Sequence, residues 1–157
     1  MKKLIVLFAI FLAGCANMAQ PLSTPSGRPE VTITGSNTSE VKSVISNAMM
    51  NRGFSVKNDS ESLITYEKTI DDVLTASLFG TRFNTKPASR ISFSFASSAG
   101  TVRVLGSIAV ISNPGSGFEQ ATDFSQGSKD AENIQAMLEQ VKRVIVSTNQ
   151  ASQRMKD

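Results

Sequence analysis

Few residues in this chain could do covalent chemistry. Its 157 residues hold no histidine and one cysteine, Cys15. Neither a Ser/His/Asp triad nor a Cys/His pair can therefore be assembled. Ser-Lys chemistry needs a paired serine and lysine, and no S-x-x-K motif is expected; Ser60, Ser62 and Lys57 are neighbours in one polar turn, which by itself pairs nothing. Glycoside hydrolysis needs two carboxylates facing each other across a cleft. Asp71 and Asp72 are adjacent in sequence, the wrong relation for that work, and fit solvated positions in the first turn of a short helix. With no His/Cys set and no D-x-D-x-D-G loop, nothing points to a bound metal. The expectation is a protein that is not an enzyme, with no catalytic residue, metal or cofactor.

Two stretches suit binding better than catalysis. "TIDDVLTASLFGTRFNTKPASR" spaces Ile70, Val73, Leu74 and Leu78 at roughly helical intervals behind Thr69 as a cap, and Gly80 breaks the pattern. Phe79 and Phe83 flank Arg82, with Lys86 and Arg90 close behind. These residues are either a small third helix closing the core, or an aromatic and basic rim for a partner protein, lipid headgroup or glycan strand. A segment this long inside a compact domain needs a reason to be ordered. The second stretch, Asn113 to Gly127, carries Phe118 and Phe124 among small polar residues. They are either aromatic plugs in a surface connection or the other half of a groove, if both stretches leave one end of the sheet.

The elements that must position these stretches are legible from periodicity. Val31 and Ile33 alternate with threonines, a strand closed by Gly35. Asn37 then caps a helix, with Glu40 as its capping-box partner. Val41, Val44, Ile45, Ala48 and Met49 form one apolar stripe, and Gly53 ends it. "FSVKNDSESLITYEK" reads as a hairpin turning at about 58–61, with Phe54 and Val56 on one face. Ile91, Phe93 and Phe95 begin a longer hairpin that turns at Ser98 to Gly100 and returns through Val102, Val104, Ile108 and Val110. Gly106 interrupts that face, as a bulge would. A last helix carries Ile134, Met137, Leu138, Val141 and Ile145, with Asp130 and Glu132 at its positive end. The order is β-α-β-β-(short α)-β-β-α. It predicts an α+β two-layer sandwich: an antiparallel sheet of about five strands, two main helices on the face bearing Val31, Ile33, Phe93 and Phe95.

The N-terminus speaks of address. Lys2 and Lys3 precede an apolar run from Leu4 to Leu12, and Ala13 and Gly14 are small. That is the build of an export signal, and the run is too short to cross a hydrocarbon core, which takes roughly 20 residues. Leu12-Ala13-Gly14-Cys15 resembles the lipobox of bacterial lipoproteins. The resemblance implies cleavage between Gly14 and Cys15, a diacylglyceryl group on the Cys15 sulfur and usually acylation of the new amino terminus. Two or three acyl chains anchor durably, where one holds only marginally. The lack of aspartate at Ala16 is similar to the outer-membrane class.

The resulting organisation is a signal peptide over 1–14, a lipidated flexible tether over 15–29, one α+β domain over 30–148 and a polar tail over 149–157. Of 16 Lys and Arg against 13 Asp and Glu, two lysines leave with the leader, so the mature chain is nearly neutral. No nucleic-acid footprint is visible. The element order resembles the helix-grip domains of outer-membrane assembly lipoproteins of the BamC type. The function that follows is an outer-membrane-anchored periplasmic lipoprotein acting as a non-enzymatic binding or accessory subunit of an envelope complex. Its partners are the membrane, through the lipid on Cys15, and an envelope protein. The alternatives are a carrier or sensor of a small apolar ligand held between helices and sheet, and, less favoured, a cell-wall-acting enzyme.

Overall fold

The computed structural model describes residues 21–71 and 86–155. The chain runs β1 (Glu30–Thr34), α1 (Thr38–Met50), β2 (Ser55–Ser60), β3 (Leu63–Thr69), β4 (Ala88–Ser98), β5 (Thr101–Ser112), β6 (Gln120–Asp123) and α2 (Lys129–Arg154). All strand pairs are antiparallel, in the order β1-β5-β4-β3-β2. The long strand β5 serves two partners on one edge: β1 along its first half and β6 along Ala109 to Ser112. Among the described residues the sheet thus has six strands, one more than periodicity suggests, and the fold is the α+β sandwich.

Alternation decides which face is buried. Val31, Ile33, Ile64, Tyr66, Ile91, Phe93, Phe95, Val102, Val104 and Ile108 form a single core with the apolar stripes of both helices. Each fully buried large side chain contributes about 1.5–3 kcal/mol. Tyr66 and Phe93 meet edge to face at 6.1 Å, and the buried Tyr66 hydroxyl shares a 2.7 Å hydrogen bond with Ser46. The turn from β4 to β5 is two residues long, with Ala99 and Gly100 both at positive φ, which matches the twist of the strands.

Both helices begin on capping side chains. The Asn37 side chain accepts from the Glu40 amide at 2.9 Å. Glu40 does not return the favour as a capping box would; its carboxylate takes the Ser36 hydroxyl at 2.7 Å. Ser128 caps α2 by accepting from the Ala131 amide. Gly53 at φ 79° closes α1 in the left-handed conformation.

Several boundaries differ from the sequence expectation. The first hairpin turns at Glu61 and Ser62, and its irregularity falls at Lys57 in β2. Val56 is half exposed because β2 is the sheet edge beyond the helices. Gly106 is no bulge: it pairs in register with Phe93 and gives room to Pro29 and Ile134. Thr69 ends β3 in register with Ala88. Helix α2 runs to Arg154, through most of the expected polar tail.

The described part of the tether packs on the domain. Leu22 lies against the core, the Gly106 amide donates to the Pro29 carbonyl at 2.7 Å, and Arg28 binds Ser107 and Asp123 at 3.2 and 2.9 Å. Glu30 follows, its buried carboxylate paired with Arg103 at 2.7 Å. Pairing with Arg103 holds it below the usual carboxylate range.

Candidate functional site

Register brings the two candidate stretches to one end of the sheet. Thr69 pairs with Ala88, and Ala88 with Ile111, so β3, β4 and β5 present their insertion and loop ends together. The Ile70 amide donates to Pro87 at 2.8 Å and closes the base of the insertion. The 113–119 segment departs from that same end.

Arg90 fastens the two. Its guanidinium donates to Glu67 at 2.6 and 2.9 Å and to Glu119 at 2.6 Å. The Gly115 amide donates to the second Glu119 oxygen at 2.9 Å. These contacts, that of Arg90 foremost, hold the Glu119 carboxyl at about 2, well under its ordinary value. Arg90 therefore acts here as a clamp within the chain, with its charge already balanced by two carboxylates.

The other candidate residues divide. Lys86 is exposed and ion-paired with exposed Asp71 at 2.7 Å. Phe118 is 73% exposed near the tip of the glycine-rich loop. Phe124 is half-buried and packs on the core, the plug of the two. Phe79, Arg82 and Phe83 lie outside the described residues, as do Gly14 and Cys15. The lipobox and most of the insertion therefore rest on sequence alone.

Beneath this end, a cleft of about 490 Å³ opens between the segment after α1, the first half of α2 and strands β4 and β5. Ile91 and Ile108 floor it, Phe54 and Met137 wall it, and Arg52 and Asp130 stand on its rim. Lys68 sits over the Phe54 ring at 5.8 Å. A volume of this size is in the range of small-molecule sites, and an apolar floor with a polar rim suits an amphiphile. No sequence pattern marks the cleft, because its walls come from the segment after α1, α2 and two strands joined only by the fold.

The expectation of no S-x-x-K motif needs correction. Ser39-Glu40-Val41-Lys42 carries S-x-x-K on α1. The Lys42 ammonium donates to the Asp59 carboxylate and, at 2.8 Å, to the Ser60 carbonyl, above the Phe95 ring. Among the described residues, no group of three or more His, Cys, Asp or Glu side chains could hold a metal ion. Likewise, no described helix is long and apolar enough to cross a membrane. No protein-family model matches the chain, and no curated protein matches it.

Proposed function

We propose that the chain is a lipoprotein of the bacterial envelope, anchored through Cys15 to the outer membrane and facing the periplasm. Its domain works as a non-enzymatic binding or accessory subunit. The anchor follows from Leu12-Ala13-Gly14-Cys15 behind a basic and apolar leader. The observation that carries the binding role is convergence: strand register gathers the insertion and the glycine-rich loop at one end of the sheet. The domain of BamC-type assembly lipoproteins is the architectural analogy, and fold alone does not assign a role.

The test is crosslinking from defined positions in intact cells. A photoreactive side chain at Lys86, beside the insertion, should give a discrete adduct with one envelope protein. The same group at Ser98, at the far hairpin turn, should not. Equal adducts from both positions, or none from Lys86, would remove the proposal. The cleft favours a second role, carriage of a small amphiphile. Native mass spectrometry of the purified protein, with a bound small molecule lost on narrowing the cleft by Ser89→Phe, would support it.

A further inference from the structure

The two helices are unequal, and the sheet runs past the end of the shorter one. Helix α1 has 13 residues against 26 in α2. Tyr66, Ile91 and Ile108 form one cross-strand row on the helix-facing side, and the Tyr66 hydroxyl reaches Ser46 of α1. Side chains alternate along a strand, so the next row on that face is Lys68, Ser89 and Val110. It meets the turn at Gly53, past the end of α1: a Cβ at Gly53 would lie 3.5 Å from the Lys68 ammonium. The cleft opens here, against the first half of α2.

Two cations stand at this opening. Arg52 lines it, and its guanidinium donates to the Ala48 carbonyl at 2.8 Å. The Lys68 ammonium donates to the Arg52 carbonyl at 2.9 Å and lies over Phe54, which also lines the cleft. Each cation thus gives a hydrogen bond to backbone at the C-terminal end of α1 and keeps most of its donors. Among the described residues, no ion pair includes either of them. The carboxylates of this end are committed elsewhere, Asp71 to Lys86 at 2.7 Å and Glu67 to Arg90 at 2.6 Å. Asp130, on the cleft rim, lies in the first turn of α2 and is set against that helix's positive end.

The mouth therefore keeps positive charge above an apolar floor of Ile91 and Ile108. Small-molecule sites run from about 300 to 1,000 Å³, and 490 Å³ lies in the lower half of that range. Such a space suits one slender chain. We infer that the cleft takes a single-chain amphiphile with an anionic head, its chain over Ile91 and Ile108 and its carboxylate or phosphate on Arg52 and Lys68. This rests on the amphiphile-carrier reading above and names the head group that reading leaves open.

The protein has no tryptophan, so Gln140→Trp in the cleft lining reports binding without background. The purified full-length protein carrying it is titrated with octanoate, octyl phosphate, octanol and octyltrimethylammonium. At least one anion should shift the emission saturably and bind about tenfold or more tightly than octanol or the cation, since hydrogen bonds to charged groups are the strong ones. The tighter anion tells a carboxylate head from a phosphate head. Arg52→Gln with Lys68→Gln should remove the preference and leave octanol binding as it was. Asp130→Asn should tighten the anions, a gain that loss of structure would not produce. Octanol binding as tightly as both anions, a preference that survives the double variant, or no gain with Asp130→Asn would overturn the anionic head and leave the carrier reading standing. No saturable binding by any probe would overturn both, as would a response that persists when Ser89→Phe narrows the cleft.

Discussion

Arg90 on β4 and Glu119 in the glycine-rich loop, 29 residues apart in sequence, meet at 2.6 Å. The same guanidinium holds Glu67 on β3. One side chain thus ties the loop to the sheet at the end where the insertion leaves. A cation that sequence reading offers to a partner is spent on positioning the surface.

The clamp predicts an acid dependence. The Glu119 carboxyl sits at about 2 in the folded chain against an ordinary 4.5. Between those values the unfolded chain binds a proton that the folded chain refuses. The stabilisation is therefore complete above about pH 4.5 and lost as pH falls through about 2. The pair is partly exposed, so about 1 kcal/mol is expected. Urea unfolding at neutral pH and near pH 3 should show a smaller acid loss for Glu119→Gln than for the natural chain. Parallel losses would contradict the clamp.

Gly106 predicts a steric effect. A Cβ there would lie 3.1 Å from the Pro29 Cβ and 3.4 Å from both the Pro29 carbonyl oxygen and Ile134. Gly106→Ala should cost about 1–3 kcal/mol by overpacking. It should also speed hydrogen exchange of the residue 106 amide, which donates to Pro29 at 2.7 Å. Unchanged stability and exchange would mean that the N-terminal segment is not seated there.

The helix caps predict additive losses. Asn37→Ala and Ser128→Ala each remove an acceptor for a first-turn amide and should cost about 1 kcal/mol. The two act on different helices, so the double variant should show nearly the sum by urea unfolding. A null effect at either site would contradict its capping role.

Tyr66, the single tyrosine, predicts a spectroscopic result. Burial pushes its hydroxyl above the usual 10.0. The unfolded chain ionises first, so the stabilisation from a neutral buried phenol is whole below pH 10 and declines as pH rises through the folded value. Ultraviolet titration of the native protein should show phenolate appearing only above pH 10. Ionisation at the ordinary value would contradict its burial.

Elements with strong alternation or a capped apolar stripe were legible in the sequence: β1, α1, β4, the first half of β5, and the apolar stripe of α2. The strand β6 was not. Its residues, "QATD", are all exposed and held by backbone pairing to β5, so no apolar period announces them. Residues 21–29 read as linker because proline and glycine dominate, while their docking depends on Leu22, Pro29 and Arg28 meeting distant partners. Ile111 also breaks the pattern, being fully buried although it has the opposite parity to Val102, Val104 and Ile108. For the candidate site, residue types were visible but their commitments were not. Only pairing in three dimensions distinguishes clamped Arg90 and half-buried Phe124 from exposed Phe118.

The central claim, that this domain works from a lipid anchor, is tested most directly by Cys15→Ser. Cells expressing the natural chain and the variant are fractionated, and the protein is followed by immunoblot. The account predicts that the natural chain, with acyl mass on its cleaved N-terminus, is found in the outer-membrane fraction and that the variant leaves it. A Cys15→Ser protein that stays there as fully as the natural chain, or a natural chain without acyl mass, would contradict the account.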